Sequence, residues 1–359
     1  MIEEAHSQQK QTQQSAGQRT PLLGMTLDML RDLAAHEGLP RFTATQIADW
    51  LYKKQVVDID SMTNLSKEAR RRLNERYTVG REAPLAAFRS TDGTCKYLFR
   101  GVGGHDIEAV MIPDKERATL CVSSQAGCRM NCRFCMTGRQ GFHGNLTTTG
   151  IINQILSVPE AASLTNIVFM GMGEPMDNID AVIRAIDILT APWGLAWSPK
   201  RITVSSIGKL DGLRRLLDET SVHVALSLHN PYSSERLAIM PVEKAYPLLD
   251  VLRFFRGFDF SRQRRLSIEY ILWRGVNDNM RYASALARIL KPIPGVRVNL
   301  IRFHAIPDCD LHPCSQSTME AFRDRLNELG ITATIRASRG EDIMAACGML
   351  AGQHNNDKN

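Results

Sequence analysis

From Ala118 onward, short apolar runs alternate with amphipathic helical stretches, and this alternation limits the possible folds of the 359-residue chain most severely. The runs are Leu120–Val122, Ile167–Met170, Ile202–Val204, Val222–Leu228, Leu266–Leu272 and Val296–Ile301. One intervening helical pattern carries Ile151, Ile152, Ile155 and Leu156, and another carries Val182, Ile183, Ile186 and Leu189. Further amphipathic stretches cover Leu210–Leu217, Leu248–Phe255, Ala283–Leu290 and Met319–Leu329. Strand–helix repetition implies parallel pairing through right-handed crossovers. Six such units predict an α/β fold, an incomplete (β/α)6 barrel, with working groups at the C-terminal ends of the strands.

The preceding residues follow other rules. Residues 21–83 read as a small helical accessory domain. Thr26 caps a helix bearing Leu27, Leu30 and Leu33, and Gly38 with Pro40 closes it. A second helix begins near Thr43 and groups Ile47, Trp50 and Leu51; a third follows Ser66 and carries Arg70, Arg71, Arg72 and Arg76. Residues 84–117 change period, with turn signals at Asp92-Gly93 and Gly101–Gly104, and read as a short β-hairpin extension. Residues 118–349 form the barrel core, and 350–359 a flexible tail. Residues 1–20 are polar and Gln-rich, which predicts a disordered tail and not a secretion signal. No run approaches the ~18 apolar residues of a membrane span. The net charge of +6 permits an RNA partner without demanding one.

The chain has eight cysteines: Cys95, Cys121, Cys128, Cys132, Cys135, Cys309, Cys314 and Cys347. Without a secretory segment they point to metal binding or chemistry and away from a disulfide framework. Three lie in "GCRMNCRFCMTGRQGF", just after the first barrel strand. Thiolates select zinc, copper(I) or iron–sulfur. Zinc needs a fourth ligand, for which His143, Cys309 or Cys314 is available. A [4Fe–4S] cube takes one ligand per iron, so three cysteines leave one iron open; the spacing favours this second reading.

The C-x3-C-x2-C spacing, with Phe134 before the last cysteine, resembles the signature of radical S-adenosylmethionine enzymes. The segments "ERATLCVSSQAGCRMNCRFCMTGRQGF", "VFMGMGEPMDN", "RITVSS", "SLH" and "IRASRGEDIMAACGML" together resemble the RlmN/Cfr family of radical RNA methyltransferases, in family order over most of residues 108–349. The helical segment at 21–80 is similar to that family's N-terminal accessory domain. The resemblance implies a radical-SAM barrel and one [4Fe–4S] cluster on Cys128, Cys132 and Cys135. Its open iron is chelated by S-adenosylmethionine, which an electron splits to release a 5′-deoxyadenosyl radical. It further implies cofactor contacts from Gly173, Glu174, Ser205, Ser227, Leu228, His229 and His304. His304 stands where the family often has asparagine. Gly171 and Gly173 are expected to let backbone approach the ligand, and Glu174 to accept from its ammonium.

The same resemblance assigns the remaining chemistry. The substrate is adenosine 2503 of 23S rRNA, and for RlmN-type members also adenosine 37 of tRNAs. Cys347 carries a methyl group, Glu108 takes the carbon-bound proton of an enzyme–RNA adduct, and Cys121 attacks the Cys347 sulfur to form a transient disulfide. Two S-adenosylmethionine molecules are used per turnover. Methylation at carbon 2 is expected, with carbon 8, as in Cfr, the alternative. Implied partners are flavodoxin or ferredoxin as electron donor and a thiol reductant, in the cytoplasm, with the enzyme a monomer away from membranes. Arg129, Arg133, Arg139, Arg302, Arg336 and Arg339 flank the rim as candidate phosphate contacts, and the N-terminal helices are a second candidate. The rival from another class is a non-catalytic nucleic-acid-binding protein holding zinc through Cys128, Cys132, Cys135 and His143.

Overall fold

The computed structural model describes residues 19–261 and 266–351. Of the expected tails at 1–20 and 350–359, residues 1–18 and 352–359 lie outside them, whereas Thr20 is in a strand and Leu350 and Ala351 are hydrogen-bonded to the rest of the protein. No helix among the described residues is long and apolar enough to cross a membrane.

The N-terminal helices follow local rules. Thr26 caps α1 (Leu27–His36) by accepting from the Met29 N–H at 3.4 Å, and Leu30, Leu33 and Ala34 are buried. Helix α2 (Thr43–Ala48) continues as a π turn over Asp49–Lys53, which buries Ile47 and Leu51. Ser66 caps α3 (Lys67–Arg76) through the Ala69 N–H at 3.1 Å. Strands β1 (Thr20–Pro21) and β2 (Tyr77–Thr78) pair in parallel and bring the ends of this unit together. The arginine run of α3 is largely neutralised internally. Arg71 bridges Glu68 and Glu75, and Arg72 and Arg76 both face the buried carboxylate of Glu37.

One ten-stranded sheet organises the rest, in the order β14-β13-β12-β11-β10-β9-β6-β5-β4-β3. Strands β3 (Ala86–Arg89), β4 (Cys95–Val102), β5 (His105–Asp114) and β6 (Arg117–Cys121) form an antiparallel meander. The expected hairpin extension is therefore continuous with the main sheet, because β5 pairs directly with β6, placing Val110 opposite Cys121. A separate hairpin, β7 (Gln125–Gly127) with β8 (Phe142–Asn145), frames the three-cysteine loop. Between them lies one short helix, α4 (Met136–Arg139).

Parallel pairing then runs from β6 through β9 (Asn166–Phe169), β10 (Ile202–Ser206), β11 (His223–Ser227), β12 (Leu266–Leu272), β13 (Arg297–Arg302) and β14 (Thr332–Ile335). The crossover helices are α5 (Thr148–Leu156), α6 (Ile179–Thr190), α7 (Leu210–Glu219), α8 (Ser233–Ile239), α9 (Leu248–Arg256), α10 (Met280–Leu290) and α11 (Gln316–Glu328). Their apolar faces, among them Ile151, Val182, Leu213, Val251, Leu286 and Phe322, are fully buried. Six of the parallel strands coincide with the apolar runs. The seventh, β14, is a four-residue edge strand whose residues alternate between exposed and covered, too short a pattern to signal a strand.

The sheet is open, and a C-terminal strap spans its two edges. Leaving β14, the chain crosses to the β3–β4 turn, where Gly340 N–H donates to Asp92 at 3.0 Å and Asp342 accepts from the Ser90 hydroxyl at 2.6 Å. Gly340 has φ 63°, and a Cβ there would meet Thr94 at 2.9 Å, so a side chain would push the strap off the turn. The strap then docks on α4: Gly348 C=O accepts from Met136 N–H at 2.8 Å and Leu350 C=O from the Thr137 hydroxyl at 2.7 Å.

Opposite the strap, Arg236 is fully buried at the strand ends. Its guanidinium donates to the carbonyls of Leu228 (3.0 Å), Ile207 (3.0 Å) and Ser227 (3.2 Å), and pairs with the buried Glu243. Removing one partner of such a pair strands the other charge. Arg236→Ala is expected to lower the unfolding free energy by about 3–5 kcal/mol, read by urea denaturation, whereas replacing Arg236 and Glu243 together with methionine is expected to lower it far less.

Candidate active site

The three-cysteine loop is built on a glycine that admits nothing larger. Gly127 has φ 71°, and a Cβ would lie 2.0 Å from the Gly141 carbonyl, which also accepts from Cys128 N–H at 2.7 Å. The loop is then pinned from outside. Arg133 N–H donates to Ile239 C=O at 3.0 Å, the Arg133 side chain pairs with Asp310 at 2.7 Å, and Arg139 grips the carbonyls of Pro307 and Asp308. Cys309 packs on this outer side, its sulfur 3.6 Å from the Arg133 carbonyl. Phe134 turns inward, edge-on to His229 with ring centroids 4.9 Å apart.

Cys128, Cys132 and Cys135 line one cavity, and Cys121 from β6 and Cys347 from the strap line it too. Burial pushes the Cys121 and Cys128 thiols up to about 12 and raises Cys132 and Cys135 as well, with neighbouring thiolates adding to the shift. A positive iron centre among them would reverse this, since a coordinating thiol is deprotonated by its metal. The chain offers a fourth side in other currency: Glu174, Ser205, Ser227 and His229 line the same cavity, as oxygen and nitrogen groups suited to a polar ligand. The donor set thus fits a three-thiolate cluster with one corner left to a small molecule. His143, the fourth ligand of the zinc alternative, does not line the cavity; it is exposed and stacks on His105 with centroids 3.5 Å apart.

Each polar group has a definite state. His229 is buried with φ 60°, and burial, reinforced by the Arg236 charge, lowers it to about 3, so it is neutral. Its Nδ1 accepts from Ile271 N–H at 3.1 Å, which leaves the proton on Nε2 as a donor. Glu174 is lifted by burial to about 7, while its oxygens accept from Met176 N–H (3.2 Å) and Ile207 N–H (3.1 Å). It therefore organises two rim segments in addition to facing the cavity. The hydroxyls of Ser205 and Ser227, on adjacent strands, lie 3.4 Å apart.

Several placements differ from those the sequence suggests. Gly171 and Gly173 line the cavity and also serve the protein's own packing: Cβ atoms there would lie 2.7 Å from the Val122 carbonyl and 2.5 Å from the Gln125 side chain. Leu228 and His304 do not line the main cavity. Leu228 is fully buried, and its backbone bonds Glu269 and Arg236. The His304 ring spends both nitrogens on the strap, at Ser338 (2.9 Å) and Glu341 (3.2 Å). Arg336 turns inward between Cys121 and Cys347, where the Cys347 thiolate foremost raises its own pKa and its charge in turn favours the Cys121 thiolate. Glu269, which the sequence pattern marks only as part of a strand, projects into the cavity. Asn299 bonds one of its oxygens at 2.8 Å, while the other has only the Arg336 guanidinium, 3.9 Å away.

Glu108 sits on β5 behind the cavity wall. Lys96 contacts one carboxylate oxygen at 2.9 Å, and Ala351 N–H donates to the other at 2.7 Å. The strap that carries Cys347 is thus bonded to Glu108 four residues later.

Comparison with known proteins places this geometry. Residues 20–79 match the ribosomal RNA large subunit methyltransferase N-terminal domain, and residues 122–286 match the radical SAM superfamily. A probable dual-specificity RNA methyltransferase RlmN of Phocaeicola vulgatus is 56% identical over 93% of this chain and 95% of its own. The dual-specificity RNA methyltransferase RlmN of Geobacter sulfurreducens is 42% identical over 92% and 91%. The chain belongs to the RlmN family of radical S-adenosylmethionine RNA methyltransferases. A crystal structure of a radical SAM methyltransferase from Sphaerobacter thermophilus, 38% identical, superposes with a TM-score of 0.87 over 93% of this chain and all of that one. Membership in the RlmN family implies a [4Fe–4S] cluster and S-adenosylmethionine.

The raised thiol of Cys121 has a measurable consequence. A higher pKa means less thiolate at every pH below it. Iodoacetamide labelling of Cys121, followed by mass spectrometry, is expected to keep rising about tenfold per pH unit beyond pH 9, where free cysteine levels off near about 8.5. A plateau at the ordinary value would contradict the buried environment.

Proposed function

We propose that this enzyme methylates carbon 2 of adenosine 2503 in 23S rRNA and of adenosine 37 in tRNA through a methyl group carried on Cys347, using two S-adenosylmethionine molecules per turnover. The observation that carries this reading is the convergence of five cysteines on one cavity, three from one loop, one from β6 and one from the strap. A cluster accounts for three; only a carrier and a resolving thiol account for Cys121 and Cys347 together. The RlmN names of relatives up to 56% identical favour carbon 2 over carbon 8.

Cys128, Cys132 and Cys135 hold the cluster, which when bound supplies the electron that breaks a carbon–sulfur bond of S-adenosylmethionine. Gly173, Glu174, Ser205, Ser227 and His229 orient that molecule, the neutral His229 as an Nε2 donor and Glu174 as an acceptor. Cys347, facing Arg336, takes the methyl from the first molecule as a thiolate nucleophile. Once that S-methyl has given up a hydrogen atom to the radical released by cleavage of the second S-adenosylmethionine, the sulfur-bound carbon joins adenine, whose amidine carbon is too electron-poor to attack an electrophilic methyl itself, and the adduct gives back one electron, balancing the one spent on cleavage. Glu108 takes the carbon-bound proton. Cys121 then attacks the Cys347 sulfur; the new disulfide forms as the sulfur–methylene bond breaks, and the methylene leaves with the bonding pair and takes up a proton to become the methyl group of the released base. A thiol reductant restores both cysteines, which suits a reducing cytoplasm, and flavodoxin or ferredoxin delivers the electron to a monomeric enzyme.

The target base must leave its stack before it can enter the barrel. Arg339 lines a groove that shares Ile112 and Arg336 with the main cavity and runs up to the strap, and it suits a phosphate on the approach; Arg117 in the same groove is paired with Asp114 at 2.5 Å. The other rim arginines are more committed: Arg129 lies over Phe142 at 4.0 Å, Arg302 bonds Gln316 at 2.5 Å, and Arg133 and Arg139 hold the loop.

Cys347→Ala is expected to abolish RNA methylation while iron and sulfide content stays at the parent level; methylation by that variant rules out the carrier. Cys121→Ala is expected to accumulate a denaturation-stable RNA–protein adduct, seen as a retarded band on a denaturing gel. Mass spectrometry of the nucleoside made by the parent enzyme is expected to give 2-methyladenosine, and 8-methyladenosine would establish the Cfr-like alternative.

A further inference from the structure

The mechanism above leaves one buried cation without a task. Lys96 lies on β4 opposite Val110, and Glu108 lies on β5 opposite Leu98, so the two are diagonal neighbours on one face of the meander. Their side chains are 4% and 1% exposed, and Lys96 Nζ stands 2.9 Å from a Glu108 oxygen. Removing two charges from water is unfavourable, and well-packed apolar side chains in such places are often as stabilising as the pair or more so. On the face that the pair shares, Leu98 and Val110 are buried and the Phe88 ring lies 5.4 Å from Lys96 Nζ, so the pair stands in largely apolar surroundings. A role in proton transfer gives a reason to keep charges there.

We propose that Lys96 is a positioning residue for proton removal by Glu108, and this rests on the role assigned to Glu108 above. An ammonium in contact with a buried carboxylate offsets part of the cost of burying that charge. It also fixes orientation. One oxygen is held by Lys96 and the other by Ala351 N–H at 2.7 Å, so the carboxylate plane is set between the sheet and the strap that presents Cys347. Lys96 is neither the source nor the acceptor of the transferred proton. Its loss affects only steps after the enzyme–RNA bond has formed, because Cys347 methylation and cleavage of S-adenosylmethionine do not involve Glu108.

The test compares Lys96→Met, Lys96→Gln and Lys96→Arg with Glu108→Gln in the full-length, cluster-loaded enzyme acting on a 23S rRNA fragment. Four quantities are followed: methyl on Cys347, 5′-deoxyadenosine formed, covalent RNA–protein adduct, and methylated adenosine released. For Lys96→Met and Lys96→Gln, the first two are expected to stay within about twofold of the parent, while adduct accumulates and release slows by about tenfold or more. Lys96→Arg is expected to restore most of the release rate, since it returns the charge. Release at the parent rate without adduct overturns the proposal. So does slowing of all four quantities in parallel, which marks a merely structural lysine. Where Lys96→Met does not retain its iron or its melting transition, Lys96→Gln and Lys96→Arg decide. If Glu108→Gln itself turns over normally, the role of Glu108 fails, and that of Lys96 with it. If Glu108→Gln accumulates adduct and Lys96→Met does not, the role of Lys96 alone fails.

Discussion

The hydrogen bonds that fasten the C-terminal strap across the open sheet are the interactions on which the site depends. Cys347 belongs to no helix or strand. Its place is set by Gly340 and Asp342 at the β3–β4 turn on one side, and by Gly348 and Leu350 on α4 on the other. Because α4 directly follows Cys135, the same contacts couple Cys347 to the three-cysteine loop. Ala351 extends the coupling to Glu108. Ala345, Ala346, Met349 and Leu350 of the strap are buried as well, so packing and hydrogen bonds together fix where Cys347 lies.

The opposite half of the rim is held more rigidly, by buried polar groups that have no freedom to rearrange. Arg236 joins the ends of β10 and β11 through three carbonyls. Asn277 donates to the carbonyls of His229 and Ile271 and accepts from Trp273 N–H. Buried polar groups are tolerated only when satisfied, and satisfied networks specify one geometry. Glu174 and His229 inherit their orientations from this network. The barrel therefore combines a wall of satisfied polar groups with a strap that brings Cys347 to the same cavity.

The elements governed by short-range rules are legible in the linear chain. Thr26 and Ser66 cap the helices that their positions predict, since capping depends on the next three residues alone. Six barrel strands match their apolar runs because a strand covered on both faces must be apolar almost throughout. Strand β14 leaves no such mark, because an edge strand needs apolar residues at alternate positions only, and four residues supply two. A glycine signals close approach but does not say by what: at Gly171 and Gly173 the atoms that would crowd a Cβ belong to Val122 and Gln125, and both glycines also line the cavity.

The sequence by itself determined the class of fold and the chemical inventory: the alternation demands a parallel sheet, and the spacing of Cys128, Cys132 and Cys135 places three thiols in one loop. Tertiary structure alone decided which distant groups meet. It set Cys347 beside Cys121, turned Arg336 and Glu269 into the cavity, drew His304 to the strap and paired Lys96 with Glu108. Helical and strand periods depend on neighbours a few residues apart, so a linear pattern records them. A contact between residues separated by hundreds of positions depends on the register of every strand between them, and no local pattern carries that.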